Sequence, residues 1–198
     1  ETSPPDALNP SHYPVLLGET LEWLAPSAES AFMVDGTLGL GGHAREFLSR
    51  YPGLQLVGID VDREMLAIAR GRLTTFGARI RFEQGWSGDV LNRPPRAAIP
   101  VDRILLDLGV SQHHFVASGR GFSFRGEEPL DMRLDDHGSR TAADIVNDET
   151  QQRLADLIFE LGGERHSRRI AAAIVDLRRG ERIMTTAQLE QVIWRATP

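Results

Sequence analysis

The chain has no cysteine and no lysine, and only 7% of its residues are aromatic. Without cysteine there are no disulfides, iron–sulfur clusters or thiolate zinc sites, which fits the reducing cytoplasm. Without lysine, all 22 basic residues are arginine. Guanidinium forks suit phosphate recognition, although a biased genome would leave the same imprint. Long apolar runs are missing as well. Residues 101–110 are interrupted by charge and fall far short of the ~20 apolar residues of a membrane span, so no membrane partner is expected. Residues 1–11 are polar and Pro-rich, without the basic and apolar regions of a secretory signal. A net charge of −6 argues against coating nucleic acid by bulk electrostatics. What is present, 41% hydrophobic and 25% charged residues over 198 positions, predicts a folded protein with one substantial core and a smaller second unit.

Residues 31–110 alternate strand-like and helix-like stretches, the rhythm of an α/β domain with a parallel sheet. Strands are predicted at residues 31–35 (AFMVD), 54–60 (LQLVGID), 79–83 and 101–108 (VDRILLDL), the last with the continuous apolar run of a central strand. Helices are predicted over residues 43–51 and 62–76, and a loop over the Pro-rich residues 92–100. Residues 111–138 lack sustained periodicity and read as a long functional loop. Beyond them everything is helical, at 141–147, 150–161, 165–179 and 186–196, with Thr141 and Thr185 as N-caps. The expected division is a ligand-binding core (1–110), a substrate loop (111–140) and a helical unit (141–198).

Chemistry gathers at the ends of the predicted strands. Asp35-Gly36-Thr37-Leu38-Gly39-Leu40-Gly41-Gly42-His43 joins a strand to a helix through a glycine-rich turn that lets backbone approach a ligand. Gly39, Gly41 and Ala44 fit the dinucleotide fingerprint, which keeps a nicotinamide-dependent oxidoreductase in view. Asp35, however, would repel a pyrophosphate and suits the ammonium of a methionine moiety, favouring S-adenosylmethionine. Asp60 closes the second strand 21 residues after Gly39 and can accept from both ribose hydroxyls of either ligand. Trp86 is placed either to stack on an adenine or to pack in a core. Asp107 ends the fourth strand, so three carboxylates converge on the edge where open α/β sheets bind ligands. For methylation of an aromatic amine, an acceptor near the nitrogen exposes its lone pair and takes a proton, and Asp107 is the candidate catalytic residue.

Six segments together carry a family resemblance. They are HYPVLL at 12–17, DGT with GGH at 35–43, GIDVD at 58–62, LLDLGVS at 105–111, RGFSF at 120–124 and PLDMR at 129–133. In this order they resemble the bacterial small-subunit ribosomal RNA (cytosine-N4)-methyltransferase family designated H, and TAAD at 141–144, GER at 163–165, RIA at 169–171 and AI at 173–174 continue the likeness. The resemblance implies a class I, Rossmann-like S-adenosylmethionine-dependent methyltransferase sheet with an inserted helical domain, the sheet's last strands being missing from this sequence. It also implies transfer of a methyl group to the N4 amine of a cytidine in the decoding region, within an assembled or assembling 30S particle, and is compatible with a homodimer. Cofactor contacts carried over from it would be Gly41, Gly42, His43, Asp60, Trp86 and Asp107, to which the charge argument adds Asp35. Trp86 stands where the family usually has phenylalanine, and Gln112-His113-His114 replaces Ser-Pro-Gln, so that His114 aligns with a glutamine contact.

The paired histidines lack a suitably spaced carboxylate, and no metal is expected. Phe122 and Phe124 either stack on the target base or anchor their loop, with Arg120, Arg125 and Arg133 near enough in sequence to meet phosphates. Six arginines against three acids in residues 163–182, among them Arg165 and Arg169, form either an RNA-facing patch or a solvated helix face. A non-catalytic RNA-binding assembly factor remains the alternative outside enzymes.

Overall fold

The computed structural model describes residues 14–27, 31–93, 100–135, 138 and 140–197. The Pro-rich start at 1–11, His12 and Tyr13 of the first motif, and residues 94–99 of the expected loop lie outside these. The chain divides into two compact units, Glu1–Gly109 and Val110–Pro198.

In the first unit α1 (Leu17–Trp23) precedes β1 (Phe32–Asp35), α2 (Gly42–Arg50), β2 (Gln55–Asp60), α3 (Arg63–Arg72), a 3-10 segment (Thr74–Arg79), β3 (Ile80–Gln84), α4 (Ser87–Leu91) and β4 (Arg103–Leu105). The four strands form one parallel sheet in the order β3-β2-β1-β4, the order of the first four strands of a doubly wound α/β fold. Register pairs Asp35 with Gly58 and with Leu105, and Asp60 with Gln84, so the carboxyl ends of the strands share one rim. Met33 and Leu56 from the strands pack with Phe47 and Leu48 of α2 and Leu66 and Ala69 of α3, all essentially buried. Arg79 donates from Nη1 to the carbonyls of Leu48 (3.0 Å) and Tyr51 (3.1 Å), placing a cation where α2 has orphan acceptors and a negative dipole end.

The structure departs from two expectations in this unit. The helix predicted over residues 62–76 stops at Arg72. Thr74 turns its hydroxyl back to the Arg70 and Gly71 carbonyls (both 2.9 Å), and Gly77 at φ 55° reverses the chain. The strand predicted over residues 101–108 pairs only across Arg103–Leu105 and lies at an edge of the sheet among the described residues, with Ile104 and Leu106 exposed. Its apolar run is that of a covered strand, and the described residues do not supply the cover.

The second unit holds α5 (Gln112–Val116), α6 (Ala142–Asp148), α7 (Gln151–Gly162), α8 (Ser167–Arg178) and α9 (Thr186–Ala196). Thr141 and Thr185 cap α6 and α9 as expected, each in a reciprocal box with Asp144 or Gln188. Leu154, Ile170, Ala171, Ile174 and Val192 form the core. Buried Asn147 clamps the chain entering α9. It donates to the carbonyls of Ala143 and Ile183 (both 2.7 Å) and accepts from the Ile183 amide (2.9 Å).

Residues 111–138, expected as one loop, contain α5 and are pinned at several points. The Leu130 amide bonds the Met184 carbonyl (2.9 Å), the Gly121 amide bonds the Glu128 carboxylate (2.8 Å), and Thr186 bonds the Gly126 carbonyl (2.8 Å). Aperiodic sequence here signals long-range pinning rather than freedom. No helix among the described residues is long and apolar enough to cross a membrane.

Candidate functional site

Asp35, Asp60 and Asp107 meet at the carboxyl rim of the sheet. Asp35 is 2% exposed, and its carboxylate accepts the Thr37 amide at 3.2 Å. Burial above all, with the charges of Asp60 and Asp107 adding to it and the Thr37 hydrogen bond opposing, pushes its pKa up to about 7. An ammonium brought to this cluster would relieve both the burial and the mutual repulsion.

Asp60 accepts the Gly39 amide on Oδ2 (2.7 Å) and the Asp62 amide on Oδ1 (2.9 Å). It therefore fixes the glycine turn in addition to presenting a carboxylate beside it. Thr37 was not singled out by the sequence, yet its hydroxyl accepts the Asp107 amide at 2.7 Å and so ties the end of β4 to the turn after β1. A hydroxyl between two glycines of a ligand turn was the one available signal. The Asp107 residue is exposed.

The glycines divide by role. Gly39, at φ 54°, has open space where a side chain would point, with no atom nearer than the Thr37 carbonyl oxygen at 4.0 Å. A Cβ on Gly41 would stand 2.8 Å from Leu73 Cδ1, and one on Gly42 would stand 2.7 Å from Pro14 Cγ. Glycine at these two positions lets α2 pack closely against Leu73 and Pro14, while Gly39 has open space on its Cβ side. His43 is drawn to the same packing, its Nε2 lying 3.0 Å from the Val15 carbonyl. Trp86 is half-exposed (50%) at the N-cap of α4, held beside β2 because the preceding Gly85 amide donates to the Asp60 carbonyl at 2.9 Å. A half-exposed indole fits both expectations for it, stacking on an adenine and half-buried packing at a core edge.

The remaining expected residues belong to the second unit. His114 is buried, accepts the Ser111 amide on Nδ1 (2.9 Å) and packs on Phe122 with centroids 5.1 Å apart. Phe122 also meets Phe115 edge to face, so Phe122 anchors its loop, whereas Phe124 is 73% exposed. Arg120 donates to the Arg133 carbonyl at 3.0 Å, and Arg133 forks onto Asp131 (2.8 and 2.7 Å), holding that carboxyl below its usual range. Both arginines brace the loop.

Of the six arginines in residues 163–182, Arg178 donates to the Val146 and Glu149 carbonyls, Arg179 pairs with Asp176, and Arg182 pairs with Asp148. Arg168 and Arg169 are exposed and have no ion-pair partner among the described residues, and Arg165 donates from Nε to Nε2 of the neighbouring His166 (3.2 Å).

A family model described as the MraW methylase family matches residues 9–198. A ribosomal RNA small subunit methyltransferase H from Treponema denticola is 48% identical over 191 residues, covering 96% of this chain and 61% of its own length. Its counterpart in Deinococcus radiodurans is 46% identical over 199 residues, covering 100% of this chain and 61% of its own length. That of Treponema pallidum is 41% identical over 221 residues, with 94% and 58% covered. The chain thus spans about three fifths of the length of these curated relatives.

Proposed function

The chain belongs to the MraW methylase family, and on that premise we propose that it methylates the exocyclic N4 amine of a cytidine in small-subunit ribosomal RNA, in the decoding region, with S-adenosylmethionine as donor. The observation that carries the reading is the rim of three carboxylates built around buried Asp35. It suits a donor that joins a cationic amino-acid tail to a ribose. A dinucleotide's pyrophosphate would meet the same acids and be repelled, which disfavours the nicotinamide alternative.

In the reading proposed, Asp35 faces the donor's ammonium, Asp60 accepts from its ribose hydroxyls, the open side of Gly39 admits its backbone-hugging portion, and Trp86 covers its adenine. The donor supplies a sulfonium-bound methyl: the amine nitrogen forms the new N–C bond as the C–S bond breaks with its electron pair on sulfur. Asp107 accepts a hydrogen bond from the amine beforehand, which turns the nitrogen lone pair out of conjugation, and it takes the released proton afterwards. The protein contributes positioning and fixed charge, with no covalent intermediate on the enzyme. Residues 111–140 serve as the substrate loop and 141–198 as the RNA-facing unit, in a cytoplasmic setting, acting on the small ribosomal particle.

Undermethylated small ribosomal subunits incubated with the full-length protein and tritiated donor are expected to yield N4-methylcytidine after nuclease digestion. Label on any other nucleoside removes the substrate assignment.

A further inference from the structure

Past Leu105 the pairing of β4 with β1 stops. The last regular bond there runs from the Gly36 amide to the Leu105 carbonyl at 2.9 Å. Bonds of a parallel ladder are evenly spaced, so the next would run from the Asp107 amide to the Gly36 carbonyl. Two hydroxyls replace it. Ser87, in the first turn of α4, donates its hydroxyl to the Gly36 carbonyl, and the Asp107 amide donates instead to the Thr37 hydroxyl oxygen at 2.7 Å.

Gly36 is the meeting point. It is buried, and a Cβ there would stand 2.6 Å from Leu106 Cδ2 and 3.4 Å from both Cβ and Oγ of Ser87, so the turns after β1, β3 and β4 close on one another with no room for a side chain. Thr37 also donates its amide to the Asp35 carboxylate at 3.2 Å. One residue thus reaches two of the three acids, through its amide to the Asp35 side chain and through its hydroxyl to the Asp107 main chain. Branching at Cβ restricts χ1, which makes that hydroxyl a fixed acceptor. Had the ladder continued, the pleat would have assigned the Asp107 side chain to one face of the sheet. Drawn off to Thr37, Asp107 leaves the sheet at its rim and is exposed there.

We infer that Thr37 and Ser87 are positioning residues for methyl transfer: Ser87 occupies the carbonyl that would keep Asp107 in the ladder, and Thr37 holds Asp107 off it, where the carboxylate meets the amine. The inference rests on the reading of Asp107 as the residue that serves the amine, and adds the pair of hydroxyls that place it.

The test is single-turnover methyl transfer to undermethylated small ribosomal subunits by the full-length protein with donor in excess, alongside calorimetric donor titration. Thr37→Val keeps the amide to Asp35 and the branched shape but removes the acceptor. It is expected to slow transfer roughly 10- to 100-fold, as a misplaced reacting group does, while donor affinity stays at the parent level. Thr37→Ser restores the hydroxyl and should recover most of the rate. Ser87→Ala frees the Gly36 carbonyl for the ladder and should slow transfer in the same sense. In an Asp107→Ala background Thr37→Val should change nothing further, because it acts through that side chain. A Thr37→Val or Ser87→Ala protein as fast as the parent overturns the inference. So does a slowing that Ser at position 37 fails to recover, or one that persists undiminished in the Asp107→Ala background. Lost donor affinity at an unchanged rate overturns it too, marking Thr37 as a donor contact. If Asp107→Ala is itself as fast as the parent, the reading of Asp107 falls and takes the inference with it, whereas a slow Asp107→Ala beside a fast Thr37→Val removes the inference alone. Circular dichroism at helical wavelengths verifies that each variant is folded.

Discussion

Replacing Asp107 by alanine is expected to slow methyl transfer by roughly 10²–10⁴-fold while RNA association stays at the parent level. Asp107 is exposed at the carboxyl rim, with its amide held by the Thr37 hydroxyl at 2.7 Å, so truncating the side chain leaves the backbone anchor in place. Asp107→Asn separates the two tasks assigned to the carboxylate, because the amide oxygen still accepts a hydrogen bond from the amine but takes no proton. Single-turnover rates across a pH series, measured with donor in excess, distinguish them. If Asn restores the parent rate, Asp107 orients only. If the alanine variant turns over as fast as the parent, the proton acceptor lies elsewhere. A non-catalytic assembly factor predicts no transfer by either protein, and that outcome removes the enzymatic reading altogether.

Asp35→Asn is expected to move stability and donor affinity in opposite directions. The folded pKa of Asp35 is raised from 3.8 to about 7. In the unfolded chain the carboxyl ionises near its ordinary value, so between about pH 4 and 7 the unfolded state has lost a proton that the folded state still holds. The contribution of the protonated carboxyl to stability is therefore complete below the unfolded pKa, declines as pH rises, and is gone above about pH 7. Asparagine keeps the acceptor for the Thr37 amide without a charge. The donor-free variant should therefore melt at a higher temperature than the parent at about pH 8, with the difference shrinking toward about pH 4. Its affinity for S-adenosylmethionine should fall about 10- to 100-fold, the loss of one charge-assisted contact in a buried site. Calorimetric titration and thermal melts at the two pH values check both halves. A variant less stable than the parent at the higher pH would mean that the Asp35 charge is already balanced in the free protein.

Acids that close apolar runs were legible in the sequence as strand ends, because a parallel sheet buries the run and a charged residue marks where it stops. That placed Asp35, Asp60 and Asp107 on one rim before any coordinates. The caps Thr141 and Thr185 were equally legible, being local patterns of a hydroxyl and a partner three residues on.

Other features depend on residues far apart in the chain. Glycine content announced a ligand turn but not which glycine opens outward, since the neighbours of Gly41 and Gly42 are Leu73 and Pro14. The arginines of α8 and the segment after it looked alike in sequence. Arg178 and Arg182 find partners 29 to 34 residues earlier, which no local pattern encodes.

A crystal structure of the protein with S-adenosylmethionine bound tests the central claim most directly. The account predicts the ribose hydroxyls on the Asp60 carboxylate, the ammonium at the Asp35 end of the rim, and the adenine against Trp86. Donor density away from these strand ends, or a pyrophosphate-bearing ligand seated at Gly39 in its place, would contradict it.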